Sequence, residues 1–497
     1  MLIGDLMAHS GVGFGTSGAR GRVEAMTDRV CYAYTLGFLQ YLFETGALAG
    51  GGEVGIAGDY RASSGRIMAA CARAVRDAGC QPRHLGRIPS PAIAAFGIAR
   101  QMPTLMVTGS HIPDDRNGIK FNLPSGEILK EDEAGIRRQD VPLPEARFDR
   151  AGGFLDGIEE QVALGPADPA AHDAYVARYL GFFPPACLSG LRVGLYEHSS
   201  VAREALHAVL VGLGAQVEPL GRSEAFLPVD TEAIRPEDVR LALDWAASGR
   251  FDALVSADGD GDRPLVGDER GEWLRGDIAG PLCARYLGVK SLATPVSSNT
   301  AVDRCGWFGR VLRTRIGSPY VIAGMQELVA TGLSPVAGYE ANGGFLTADD
   351  IVREGRVLPA LPTRDAVVVV LATLCLARDR GQPLSELAGE LPARYTCSDR
   401  IKDFPSELSQ ARLAAMTGGD PQSDLGAAEA VFGDHFGAVA RLDTTDGLRI
   451  TFVSGEIAHL RPSGNAPELR AYTEADTPER AAEMNRICMT ILDRWRA

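Results

Sequence analysis

The residues able to do chemistry crowd into a few short loops punctuated by glycine. Asp258-Gly259-Asp260-Gly261-Asp262-Arg263-Pro264 sets carboxylates at alternating positions, with glycines that let the backbone turn tightly between them. Such a loop can converge three oxygens on one hard divalent cation and leave positions open for a phosphate oxygen, which suits Mg²⁺ in phosphoryl transfer. Arg263 can then face the same phosphate. An EF-hand loop competes with this reading, because Leu265 and Glu269 fall at its eighth and twelfth positions. Against it, Arg263 replaces the required glycine at the sixth position, Pro264 follows, and a buried strand rather than a helix leads in. A solvated acidic turn is the chemically silent alternative.

A second loop runs Thr108-Gly109-Ser110-His111-Ile112-Pro113 behind the apolar run Leu105 to Val107. The run reads as a buried strand, and the breaks at Gly109 and Pro113 put Ser110 on a tight loop at its end, where α/β sheets bind ligands. His111 is adjacent, and a turn at Asn117-Gly118 would fold Lys120 back toward the serine. That gives a hydroxyl near two proton carriers, suited to a nucleophile or a phosphate carrier. A Gly/Pro turn with an incidental serine fits the same residues.

Three further loops are weaker singly. Phe14-Gly15-Thr16-Ser17-Gly18-Ala19-Arg20-Gly21 offers backbone N–H groups and Arg20 for a phosphate, or is a flexible leader. Arg461-Pro462-Ser463-Gly464-Asn465-Ala466-Pro467-Glu468-Leu469-Arg470 puts two arginines and two short side-chain donors around a glycine turn. Guanidinium forks match phosphate geometry, so this is a dianion clamp or a hairpin with surface arginines. In Gly338-Tyr339-Glu340-Ala341-Asn342-Gly343-Gly344-Phe345, Glu340 and Asn342 point the same way if the loop stays extended, and together could hold two sugar hydroxyls.

These loops need a scaffold. Residues 53–120 alternate strand and helix: strands at 53–57, 83–88 and 104–107, and a helix from Ser63 to Ala78 stopped by Gly79. That rhythm predicts a mainly parallel sheet with covering helices. It returns with strands at 191–196, 216–220 and 253–257 and helices at 201–213 and 237–247. It returns again with strands at 291–294, 311–315 and 335–337 and helices at 277–287, 320–328 and 365–376. The last hundred residues differ, with antiparallel strands at 448–453, 456–460 and 469–473 before a helix from Pro478 to Trp495. The fold class is α/β, with three related α/β units and a C-terminal α+β unit, and expected boundaries at 1–168, 169–272, 273–385 and 386–497.

Composition narrows the function classes. The chain has 497 residues, 45% hydrophobic and 23% charged, in the range of a globular protein of several domains. A formal net charge of −14 disfavours nucleic acid or an anionic membrane as partner, so an anionic substrate needs local arginines and lysines. Nine scattered cysteines without a C-x-x-C argue against a zinc cluster or disulfide framework and for a reducing, cytoplasmic compartment. Met1 to Gly13 carries no Lys or Arg and does not read as a signal peptide, and the apolar run Ala366 to Ala377 is too short to span a bilayer.

Taken together and in order, the loops resemble those of the α-D-phosphohexomutase family, the phosphomannomutases and phosphoglucomutases. The shared signatures are F-G-T-S-G-x-R-G, T-x-S-H-x-P with N-G-x-K behind it, D-G-D-x-D-R, G-x-E-x-(S/N)-G and R-x-S-G-x-x-P-x-x-R, spanning Phe14 to Arg470. The resemblance implies a heart-shaped architecture of four domains. It implies that Ser110 is the phosphorylated serine and that Asp258, Asp260 and Asp262 hold Mg²⁺, the fourth ligand being a phosphoserine oxygen on Ser110. Arg20, His111 and Lys120 match active-site residues, with Lys120 a general acid or base and Arg263 near the transferred phosphoryl group. Glu340 and Asn342 match contacts to sugar hydroxyls. Arg461, Ser463, Asn465 and Arg470 match the site of the phosphate that does not react, and Ser318 lies in a turn that helps choose the sugar.

The chain departs from the family pattern at Gly109, Ile112, Tyr339 and Gly344. Ala466 also stands in the phosphate loop where a glutamate is common, which bears on phosphate affinity. The implied activity interconverts hexose 6-phosphate and hexose 1-phosphate, most simply of mannose and also of glucose, with a hexose 1,6-bisphosphate as intermediate and activator. The partner is a small phosphosugar, and the protein is expected to be a monomer or homodimer. Alternatives are a serine-based metallophosphatase, a phosphoglucosamine mutase, and a protein that binds a divalent cation or phosphosugar without turnover.

Overall fold

The computed structural model describes residues 1–15, 18–155, 163–463 and 467–496. Among them, the loop-bearing sheets follow the expected succession. The first has the strand order 13–14, 18–22, 116–123, 104–107, 53–58, 81–86. The second runs 264–267, 253–257, 192–196, 216–220, and the third 310–314, 291–295, 336–339, 345–347, 361–365. The fourth, 395–402, 468–475, 457–462, 448–452, 439–443, is antiparallel throughout.

The sheets are more mixed than the rhythm predicts. In the first, strands 53–58, 81–86 and 104–107 are parallel, but 116–123 lies antiparallel between 104–107 and 18–22. Asn117 and Gly118 are therefore paired strand residues, opposite Gly21 and Arg20, and not a turn. The glycine serves close packing instead: a Cβ on Gly118 would sit 2.8 Å from the Ala19 carbonyl oxygen and 3.0 Å from that of Thr108. Gly18 is tighter still, since a Cβ there would lie 2.1 Å from the Ile119 carbonyl oxygen.

Burial explains why these segments form. The strand Thr104–Val107 is buried at every residue, as is Ala253–Ala257, so each is a mainly apolar run, broken only by Thr104 and Ser256, with both faces covered. The helix Ala366–Arg380 begins with four β-branched valines, which by propensity alone suit a strand. Its start is fixed by Asp365, whose carboxylate accepts from the backbone N–H groups of Val367 and Val368, and its end by Gly381 at φ 65°. Between these caps Ala366 to Ala377 is buried on all sides, and one apolar core runs from Ala57 to Leu391 through the first three units. The C-terminal unit packs around a core of its own, from Ile401 to Leu492.

Candidate active site

Ser110 sits where the strand Thr104–Val107 ends, buried and at φ 55°. A serine in this left-handed region is strained by itself, and its neighbours hold it there. Its N–H donates to Thr108 Oγ1 at 2.7 Å, and Thr108 Oγ1 donates to Asp59 Oδ2 at 2.8 Å. Arg61, fully buried, donates to four carbonyls of the same loop, those of Ser110, Ile112, Pro113 and Arg116, and pairs with Asp59. Its guanidinium lies so close under Gly109 that a Cβ there would sit 2.6 Å from Cζ, and its outer face stacks on Phe226 at 3.9 Å.

This loop presents the hydroxyl to the aspartate turn. Ser110 Oγ donates to Asp258 Oδ2 at 2.6 Å and lies 3.3 Å from His111 Nδ1. Asp258 Oδ1 accepts from the backbone N–H groups of Asp262 and Arg263, and Gly261 at φ 73° lets the turn close. Lys120 reaches across from the neighbouring strand and donates to Asp260 Oδ2 and Asp262 Oδ2, both at 2.6 Å. Ser90 donates to Asp260, and Arg364 to Asp262 at 2.9 Å.

The three buried aspartates bring carboxylate oxygens within 4.8 Å of one another. Asp260 Oδ1 and Asp262 Oδ1 are buried with no hydrogen-bond partner among the described residues, so two anionic oxygens stand ready for a cation. The set of hard carboxylate oxygens beside a hydroxyl fits Mg²⁺. Electrostatics agree with a site under load. Burial, then the charges of Asp260 and Asp262, push the Asp258 carboxyl well above its ordinary range. Burial acts the same way on Asp260, but Lys120 outweighs it and holds that carboxyl below its ordinary range. For Lys120, burial is overcome by Asp260 and Asp262, so the ammonium stays charged.

Cations gather on the serine side. Burial, then repulsion from Arg263, lowers Arg20 to about 10. The Arg263 Nε is buried without a hydrogen-bond partner among the described residues and lies 3.7 Å from Asp262 Oδ1. Burial, then Arg263, brings His111 down to about 3, so its imidazole is neutral; Asp230 lies 3.9 Å from its Nε2. Arg263, with one buried nitrogen unpaired among the described residues, and the nearby Arg20 are the cations this side offers to a phosphoryl group.

The remaining loops join the site unequally. The 338–345 loop is not extended: Gly343 N–H donates to the Glu340 carbonyl and Glu340 N–H to that of Gly344, closing a tight turn. Asn342 spends its side-chain oxygen on the Gly344 N–H. Glu340 nevertheless connects to the aspartate turn through Arg364, which donates to Glu340 Oε2 at 3.0 Å and to Asp262. Ser318 does not join the cluster; it starts the helix Ser318–Ala330, and its buried hydroxyl donates to Glu127 at 3.0 Å. In the C-terminal sheet the register sets Arg461 opposite Arg470, and Arg470 opposite Arg400, a row of three guanidinium-bearing positions. Asp446 accepts from Arg461 Nε at 2.9 Å and, with the same oxygen, from the Ile316 N–H. Ser463 borders the same loop, its N–H bonded to the Glu468 carbonyl, whereas Asn465, like Thr16 and Ser17 of the leader, lies outside the described residues.

Sequence reasoning missed Asp59, Arg61, Ser90 and Arg364. The one available signal was charge at a buried place: Asp59-Tyr60-Arg61 ends an apolar strand, and Arg364 precedes an apolar run.

Comparison with known proteins shows the family. Residues 11–139 match a family model described as phosphoglucomutase/phosphomannomutase, alpha/beta/alpha domain I. Residues 275–395 match its alpha/beta/alpha domain III and 414–489 its C-terminal domain. A phosphomannomutase of Sinorhizobium fredii is 43% identical over 472 residues, covering 95% of this chain and 96% of the relative. One of Salmonella muenchen is 42% identical, covering 97% and 95%. The crystal structure of a phosphoglucomutase/phosphomannomutase family protein from Burkholderia thailandensis superposes with a TM-score of 0.72 at 20% identity, over 97% of this chain and 96% of that one. With full-length relatives above 40% identity and the serine loop docked on the aspartate turn, the chain belongs to the α-D-phosphohexomutase family, the phosphoglucomutases and phosphomannomutases.

Proposed function

We propose that this protein is a Mg²⁺-dependent phosphohexomutase acting on mannose phosphates, and on glucose phosphates as well, through phosphorylated Ser110. The observation that carries this reading is the contact of Ser110 Oγ with the buried Asp258 carboxylate, at 2.6 Å. The names of the relatives at 43% and 42% identity support mannose.

Phosphorylated Ser110 gives its phosphoryl group to the free hydroxyl of a hexose monophosphate. The P–Oγ bond breaks, a bond from phosphorus to the sugar oxygen forms, and the hydroxyl proton ends on Ser110 Oγ. Lys120, an ammonium held between two aspartates, is the proposed proton carrier along that path. Arg20 and Arg263 steady the moving phosphoryl group, and His111 lies beside the serine oxygen as a neutral imidazole. Asp258, Asp260 and Asp262, with Ser110, would hold Mg²⁺, which when bound offsets charge on the phosphoryl oxygens.

The hexose 1,6-bisphosphate turns over and returns its other phosphoryl group to Ser110. Either end must fit the row at Arg461 and Arg470, while Glu340 and Asn342 hold the sugar. The C-terminal unit, with its own core, hinges to allow the reorientation. Added hexose 1,6-bisphosphate activates by loading Ser110. Ser318, bonded to Glu127, shapes the sugar side from a distance.

Comparing kcat/KM for mannose 1-phosphate, glucose 1-phosphate and glucosamine 1-phosphate tests the substrate. Preference for mannose with glucose second is expected, and preference for glucosamine would replace the assignment. Stoichiometric release of inorganic phosphate without isomerisation would make the protein a metallophosphatase.

A further inference from the structure

Arg364 holds two carboxylates that belong to different tasks. It lies on the last strand of the third sheet, Leu361–Asp365, and is almost fully buried. One terminal nitrogen donates to Glu340 Oε2 at 3.0 Å and the other to Asp262 Oδ2 at 2.9 Å. The same Asp262 oxygen accepts from Lys120, which in turn bonds Asp260. An unbroken buried chain of charges thus runs from the loop proposed to hold the sugar to the turn that faces Ser110.

The loop's shape is matched to this arginine. A Cβ on Gly344 would lie 2.6 Å from Arg364 Cδ and 2.7 Å from Cγ, so the arginine stem fills the space a side chain at 344 would need. Its two bonds also use a planar fork that a lysine cannot reproduce. The guanidinium fixes Glu340 Oε2, and no hydrogen bond reaches Oε1 among the described residues, which leaves that oxygen for a sugar hydroxyl.

We propose that Arg364 is a positioning residue that couples the sugar contact at Glu340 to the aspartate turn, so that occupancy of the sugar site sets the geometry for phosphoryl transfer from Ser110. The inference rests on the reading of Glu340 as a sugar contact. Its consequence is that an enzyme without this fork still carries a phosphoryl group on Ser110 but transfers it to sugar with little advantage over water.

The test uses the full-length protein loaded with Mg²⁺, its Ser110 labelled from ³²P-hexose 1,6-bisphosphate. Two rates are measured in single turnover: loss of label to added mannose 1-phosphate, and loss to water as inorganic phosphate. In Arg364→Met the sugar-dependent rate should fall about 100-fold, the size of effect a misplacement of about 1 Å produces, while hydrolysis stays within about threefold. Arg364→Lys, which keeps the charge and guards against a folding failure, should fall between the two. Glu340→Gln should show the same selective loss, and the double variant Glu340→Gln/Arg364→Met should be little worse than the more impaired single one. Equal loss of both rates, additive losses in the double variant, or an unimpaired Arg364→Met with an impaired Glu340→Gln would each overturn the coupling. An unimpaired Glu340→Gln would instead remove the sugar contact itself, and the coupling with it.

Discussion

Ser110 and Asp258 are 148 residues apart in sequence and 2.6 Å apart in space. The serine loop comes from the first sheet and the aspartate turn from the second, so their meeting requires both units to be docked and both turns to be formed. Because the hydroxyl donates, Asp258 has one oxygen committed to Ser110 and the other to the backbone N–H groups of its own turn. Among the described residues, the carboxylate oxygens of this turn without a hydrogen-bond partner are Asp260 Oδ1 and Asp262 Oδ1.

Those two oxygens should set the metal affinity. Asp260→Asn removes one anionic ligand and also weakens the hold on Lys120. Activity titrated with Mg²⁺ should need a concentration higher by about 100-fold or more, with a reduced plateau. Undiminished activity at the ordinary Mg²⁺ level would reject the metal assignment.

Arg61 should matter as much as residues that touch substrate. Arg61→Met leaves Asp59 as an uncompensated buried charge and frees four carbonyls of the serine loop. Breaking a buried pair in this way costs about 3–5 kcal/mol, so the thermal midpoint should drop by several degrees and phosphorylation of Ser110 should slow. Differential scanning calorimetry with a labelling time course measures both. A variant as stable and as readily labelled as the parent would show that the loop holds itself.

The phosphate row should respond in KM. Arg461→Lys loses the forked contact, and a charged hydrogen bond is worth about 1.5–3 kcal/mol, so KM for hexose 1-phosphate should rise by about 10- to 100-fold with kcat less affected. Asp446→Asn, which loosens Arg461 and the Ile316 contact together, should move KM in the same direction by less. Steady-state kinetics on both variants separates this from a general loss of fold, which would lower kcat first.

Two buried histidines should make the fold sensitive to acid. Burial brings both His198 and His459 down to about 4 from an ordinary 6.5. Between those values the unfolded chain binds protons that the folded one does not. Stability is therefore full above about pH 6.5 and declines as pH falls toward 4, by on the order of 3 kcal/mol per histidine. Urea unfolding at several pH values should show this slope. His198→Gln, which keeps a donor to the Ala257 carbonyl, should flatten part of it; an unchanged slope would place the acid response elsewhere.

The strands that carry the loops were legible because burial on both faces writes a continuous apolar run. Thr104–Val107 and Ala253–Ala257 have the bounds the sequence suggests, as does the half-exposed edge strand Gln216–Leu220, which carries none of these loops. The loop residues were legible because few chemistries need Asp-Gly-Asp-Gly-Asp or a serine between Gly109 and His111. Strand direction was not: Asn117-Gly118 has turn composition, but its glycine answers a close approach between strands. The arginines were illegible for another reason. An isolated Arg61 or Arg364 has no local pattern, and its meaning arises only when the topology delivers carbonyls or carboxylates from other units. The turn at Glu340 likewise depends on the Arg364 stem beneath Gly344.

The most direct measurement is to incubate the protein with ³²P-hexose 1,6-bisphosphate and Mg²⁺, map the label by peptide mass, and chase it with unlabelled mannose 1-phosphate. Label on Ser110 at up to one per chain, transferred to sugar at the rate of turnover and absent in Ser110→Ala, is the expected result. A Ser110→Ala enzyme that isomerises normally, or label on any other residue, would contradict it.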